Sequence, residues 1–137
     1  MARILAIDYG KKRTGLAVTD PLQIIATGLP TIDTLRLMPF LREYLPREQV
    51  ERVIIGDPRN LDGTDTDATP LVQHFLQAFR KIFPQIPIET VDERHSSRLA
   101  KEAMLEMGLK KSQRREKRRI DEIAATLLLQ EYLKSRS

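Results

Sequence analysis

Arg3-Ile4-Leu5-Ala6-Ile7-Asp8-Tyr9-Gly10-Lys11-Lys12-Arg13-Thr14-Gly15-Leu16-Ala17-Val18-Thr19 is the stretch on which the fold turns. Ile4 to Ile7 is an unbroken apolar run, which predicts a strand from Arg3 to Asp8 buried on both faces and ending in an acid. Tyr9 to Lys12 reads as a turn, with Gly10 supplying the permissive backbone. Thr14 to Thr19 then returns as a second strand, antiparallel to the first.

Working outward, Asp20-Pro21 breaks the hairpin, and Ile24 to Thr31 reads as a third strand. Asp33 is placed to cap a helix running to about Leu45, with Leu37, Phe40, Leu41 and Tyr44 on its inner face. Arg52 to Gly56 is a short strand built on Val53, Ile54 and Ile55. Asp57 to Thr69 is a polar loop. Thr69-Pro70 opens a second helix, with Pro70 in the first turn where its missing N–H goes unused; Leu71, Phe75, Leu76 and Phe79 are its apolar side. Ile86 to Val91 is the last strand, followed by Asp92 and Glu93. Ser96 or Ser97 caps a helix that stops at Gly108. A final helix is expected from about Arg119 to Lys134. Three strands, then strands alternating with helices, predict an α/β fold: a mixed sheet with helices on both faces.

The chain has 137 residues, 41% hydrophobic and 31% charged. That length suits one domain over 1–137, able to bury roughly 70% of its unfolded surface without staples. It has no cysteine, which excludes disulfides, thiolate zinc sites and cysteine nucleophiles. The stretch Met1 to Ile7 is too short for a secretory signal and is broken by Asp8, and no apolar run approaches a membrane span. A cytoplasmic protein with no membrane partner is expected.

Lysines and arginines number 23 against 19 acids, a net charge of +4. Lys110, Lys111, Arg114, Arg115, Lys117, Arg118 and Arg119 crowd together, offset only by Glu116. Such a run is either a solvated surface or the footprint of a polyanion.

Three acids stand out by position. Asp8 ends the first strand, Glu93 follows the last, and Asp121 opens the last helix. Ala124, Ala125 and Leu128 share the Asp121 face, so this carboxylate points inward, with small neighbours that would admit a close sheet. Each acid has an ordinary alternative: Asp8 as a turn cap, Glu93 as a partner of Arg94 or Arg98, and Asp121 as a first-turn acid favoured by the helix dipole. Together they have one chemical rationale. Several carboxylates cannot stay ionised in a low-dielectric pocket without a counter-charge, and divalent metal supplies it. Two such ions could activate water and stabilise the leaving oxygen of a phosphodiester.

With these residues in view, the sequence resembles the YqgF/RuvX family, also called Holliday junction resolvase-like proteins or pre-16S rRNA nucleases. The likeness covers essentially the whole chain. Asp8 to Ala17 resembles the opening D-x-G-x-K-R-x-G-x-A. Gly56-Asp57-Pro58-Arg59-Asn60-Leu61-Asp62-Gly63 resembles the G-x-P-x-N-x-D-G loop, Asp92-Glu93-Arg94 the D-E-R, and Asp121 with Ala124-Ala125 the D-x-x-A-A. The resemblance implies a ribonuclease H-like fold, with a five-stranded mixed sheet whose first three strands are antiparallel. It implies a catalytic, metal-holding set of Asp8, Glu93 and Asp121, with Mg²⁺ or Mn²⁺ and two ions. It also implies a role in processing the 5′ end of pre-16S rRNA. The chain departs from the family at Asp57, where leucine is usual: either a fourth acid near the metal or a solvent-facing turn residue.

Lys12, Arg13, Asn60, Arg94, Arg114, Arg115 and Arg118 are the expected nucleic-acid contacts, in a monomer or weak homodimer. With aromatics at 5% and no tryptophan, recognition should rest on backbone charge and shape more than base stacking. Three rivals stand beside this reading. Asp8-x-Gly10 with Gly15 also suits the phosphate-binding hairpin of the actin and sugar-kinase superfamily, which absence of ATP binding would exclude. A Holliday junction resolvase would use much the same acids on branched DNA. A non-catalytic RNA-binding module would leave the acids scattered over different faces.

Overall fold

The structure is a computed structural model that describes residues 2–58, 64–92 and 114–136, with the backbone alone for 114–117. Five strands form one sheet: β1 (Arg3–Tyr9), β2 (Arg13–Thr19), β3 (Ala26–Asp33), β4 (Val50–Asp57) and β5 (Ile88–Asp92). Their order across the sheet is β3-β2-β1-β4-β5. β1 pairs antiparallel with β2, and β2 with β3; β4 and β5 extend the sheet in parallel from β1. The mixed sheet expected from the strand order, and the ribonuclease H-like arrangement that the family resemblance implied, are the ones observed. Among the described residues the helices are α1 (Leu37–Arg47), α2 (Thr69–Ile82) and α3 (Arg114–Arg136).

β1 is apolar throughout because both of its faces are covered. Leu5 and Ile7 pack with Leu41, Val72, Phe75 and Phe79 of α1 and α2. Ile4 and Ala6 pack with Ala125, Leu128 and Leu129 of α3. The alternation of β4 follows the same rule, with Val53 and Ile55 on the first side and Ile54 on the second.

The structure corrects several boundaries. β3 begins at Ala26, two residues after the expected start, because the Asp20 carboxylate takes the N–H groups of Ile24 and Ile25 (2.8 and 2.7 Å). Ile24 and Ile25 are therefore loop residues, 67% and 63% exposed. Asp33 does not cap α1: a 3-10 turn (Thr34–Arg36) intervenes, and Asp33 accepts from Arg118 instead. On α2, Val72 is buried where Leu71 was expected to be. β5 starts at Ile88. α3 takes in Arg114 to Arg118, so these cations lie on a helix and not on the segment before it. The helix expected over 96–108 lies outside the described residues. No helix among the described residues is long and apolar enough to cross a membrane.

Candidate active site

The register of the hairpin builds the site. Asp8 lies directly opposite Gly15 across β1 and β2, and opposed residues of an antiparallel pair project to the same face. A Cβ built on Gly15 would stand 2.1 Å from the Asp121 carbonyl oxygen and 3.2 Å from the Asp121 Cβ. Only glycine admits the helix backbone there. Asp8 continues the face of Ile4 and Ala6, which is the face α3 covers. The fold thus brings Asp8 and Asp121, 113 positions apart in sequence, over one end of the same sheet face.

Small residues make this close approach general along α3. A Cβ on Gly28 of β3 would meet Glu122 Cγ at 2.7 Å and Thr126 Oγ1 at 2.9 Å. Ala17, Ala124 and Ala125 are buried between the same elements. Asp121 is interior to α3, seven positions beyond Arg114. The first-turn acid reading therefore does not hold, since the dipole acts within the first turn.

Burial pushes the Asp121 carboxyl above the usual carboxylate range, while the Arg13 hydrogen bond and charge, and the charge of Arg118, pull it back. Arg13 Nε donates to Asp121 Oδ2 at 2.9 Å, an ion pair with side-chain exposures of 32% and 23%. A second pair runs the other way: Arg118 on α3 donates to Asp33 Oδ1 (2.7 Å) and to the Thr31 carbonyl (3.0 Å) on β3. Thr31 Oγ1 in turn donates to the Arg118 carbonyl at 2.6 Å. Arg118, expected as a nucleic-acid contact, is here an anchor for the helix.

The turn after Asp8 is held from two sides. Thr34 donates through Oγ1 to the Gly10 carbonyl (2.7 Å) and through its N–H to the Lys12 carbonyl (2.9 Å). Tyr9 turns to the opposite face and packs its ring 5.0 Å from Phe75. Lys12 is exposed at the turn.

Asp57 ends β4 in register with Asp92 of β5. It continues the parity of Val53 and Ile55, which face α1 and α2, so it leaves the sheet on the side opposite Asp8. It is neither a turn residue nor, by this alternation, a neighbour of Asp121. Glu93, Asn60 and Arg94 lie outside the described residues, as do the side chains of Arg114 and Arg115.

Among the described residues no three His, Cys, Asp or Glu side chains gather to hold a metal. The Asp8 and Asp121 pair nevertheless fits a divalent cation: two hard oxygen donors from separate elements share a face, and Asp121 is paired with a cation. Mg²⁺ is commonly held by one or two carboxylates, with its remaining positions left to water and phosphate.

Sequence reasoning missed three features of the site. These are the Arg13–Asp121 pair, the Arg118–Asp33 pair, and the role of Gly15 and Gly28 as contacts for α3. The glycines themselves were visible, one of them within a motif. What they touch was not.

The RuvX family, described as Holliday junction resolvase, matches residues 2–135. A protein of Christiangramia forsetii named "Putative pre-16S rRNA nuclease" is 51% identical over 133 residues, covering 97% of this chain and 98% of its own. A Phocaeicola vulgatus protein of the same name is 52% identical over 136 residues, covering 99% and 98%. Among solved structures, T. thermophilus RuvC in complex with Holliday junction substrate superposes with a TM-score of 0.57 at 18% identity, covering 99% of this chain and 96% of that one. That likeness is one of fold. The family match and these full-length relatives place the chain: it belongs to the RuvX family.

Proposed function

We propose that this protein is a metal-dependent nuclease that hydrolyses phosphodiester bonds, processing the 5′ end of pre-16S rRNA in the cytoplasm. The observation that supports the chemistry is that Asp8 lies opposite Gly15, the glycine on which the Asp121 backbone of α3 rests. The substrate follows from the relatives, whose shared name specifies pre-16S rRNA.

Asp8, Asp121 and Glu93 form the acidic site in this proposal. Glu89 accepts from Tyr132 of α3 and Val91 packs against that helix's cluster, so β5 carries side chains to the α3 face. These residues would hold Mg²⁺ or Mn²⁺, as two ions, which would supply charge stabilisation to the phosphate and a more acidic water. Asp8 projects from a strand end held by Thr34 and Tyr9, so it needs little reorganisation to act. Asp121 comes from a helix whose backbone rests on the sheet. Lys12, Arg13, Asn60, Arg94, Arg114 and Arg115 contact backbone phosphates. Arg118 joins them with the guanidinium N–H groups that Thr31 and Asp33 leave unused.

The test pairs a pre-rRNA leader fragment with a four-way DNA junction, in Mg²⁺ or Mn²⁺ and in chelator, for the wild type and Asp8→Asn. Cleavage of the RNA is expected only with metal. In the variant it should fall by on the order of 100-fold or more, the scale set by loss of one preorganised charge-stabilising group. Cutting of the junction alone would favour the resolvase reading, which the family description carries. Equal cleavage by wild type and variant would overturn the assignment of Asp8.

A further inference from the structure

Arg13 is placed where a divalent cation would have to sit or stand close by. Its Nε is 2.9 Å from Asp121 Oδ2, on a residue whose backbone carbonyl and Cβ rest against Gly15. The Asp121 side chain is only about a quarter exposed, and a carboxylate so placed is stabilised by a positive partner. A divalent ion binds carboxylate oxygen at about 2.0–2.1 Å. Two cationic centres sharing one carboxylate would then lie only about 4 Å apart, where repulsion in a partly desolvated site is strong.

The helix does not depend on Arg13 to stay in place. Arg118 holds the same turn of α3 to Thr31 and Asp33 of β3, and the alanine and leucine cluster seats the rest. Arg13 is also about a third exposed, so its guanidinium has a route outward, and its planar fork matches phosphate oxygens.

We infer that Arg13 is an exchangeable cation: it neutralises Asp121 in the metal-free protein and passes to a backbone phosphate once a divalent cation takes that carboxylate. The inference rests on the metal-nuclease reading above and adds an order of events to it. Arg13 neutralises Asp121 before loading, and loading is what frees Arg13 for the nucleic acid.

The test uses the full chain as wild type, Arg13→Gln, and Arg80→Gln, a charge-matched control on the exposed side of α2. Mn²⁺ affinity is measured by calorimetry. Arg13→Gln should bind Mn²⁺ about two- to five-fold tighter than wild type, the range of a partly exposed ion pair, and Arg80→Gln should match wild type. A merely structural role would weaken Mn²⁺ binding. The second readout is affinity for a short RNA in Ca²⁺ and in chelator. Arg13→Gln should bind more weakly than wild type in Ca²⁺, with the salt slope reduced by about 1, and should equal wild type in chelator.

Equal or weaker Mn²⁺ binding by Arg13→Gln, or an RNA defect of the same size in chelator, would overturn the inference and leave the nuclease reading standing. Absence of Mn²⁺ binding in the wild type would overturn both. If Arg13→Gln does not fold, Arg13→Lys should give a smaller shift in the same direction, because an ammonium reproduces the guanidinium contact poorly.

Discussion

On the α1 and α2 side of the sheet, Leu5, Ile7, Leu16, Val53 and Ile55 meet Leu41, Phe75, Leu76 and Phe79. On the α3 side, Ala6 and Ala17 pack with Ala125, Gly15 lies against Asp121, and Gly28 lies against Glu122 and Thr126. The same strands therefore carry two kinds of packing on their two faces. Bulk on the first side buries apolar area, which is the main source of stability. The glycines and alanines of the second bring a helix backbone down onto the sheet and set Asp121 over the face that Asp8 shares. Stability and chemistry are divided between the faces, so they should respond separately to substitution.

The largest effect expected on the fold comes from Phe79→Ala, which empties a fully buried position under α2. It should destabilise the protein by about 3–5 kcal/mol in denaturant titration, with activity per folded molecule little changed. Activity falling along with stability would mean the faces are not independent.

Gly15→Ala comes next and acts in the opposite sense. Its Cβ would meet the Asp121 carbonyl at 2.1 Å, so α3 must move. Overpacking of this kind costs about 1–3 kcal/mol, a smaller loss than Phe79→Ala. Cleavage should nevertheless fall by on the order of 100-fold, because a displacement of about 1 Å is enough at a reacting centre. A Gly15→Ala enzyme with wild-type turnover would break the comparison.

The smallest effect is expected at Asp20, at the β2–β3 connection. Backbone N–H groups of Ile25, Ile24 and Leu22 hold its carboxyl below the usual carboxylate range. A lowered folded value stabilises the protein above the ordinary carboxylate range, and that contribution is lost as pH falls through the folded value. Asp20→Ala should thus be slightly less stable than wild type at neutral pH, and thermal melts of the two should converge in acid. A gap that persists at low pH would point to lost packing and not to the carboxylate.

What could be read from sequence, and what could not, divides by range. The hairpin was legible because Ile4 to Ile7 cannot be exposed and Gly10 marks the turn. All five strands, though not all of their bounds, follow from such local patterns. Asp121 was legible as an inward-facing acid because Ala124, Ala125 and Leu128 repeat at helical spacing, and all three are buried. The errors came from polar side chains with distant partners. Ile24 and Ile25 look like strand residues until Asp20 takes their N–H groups. Asp33 looks like a cap until Arg118, 85 residues away, claims it. The Arg13–Asp121 pair, 108 residues apart, carries no local signal at all.

The register shift between β2 and β3 places an extra residue on β3, at Pro30 and Thr31. β3 is an outer strand of the sheet, and such edges invite pairing with another molecule. Here Pro30 has no N–H to offer, and the Thr31 carbonyl is engaged by Arg118. The bond that seats α3 beside the acidic site therefore also blunts an edge, and a substitution that frees Arg118 would expose the protein to self-association as well as to misplaced chemistry.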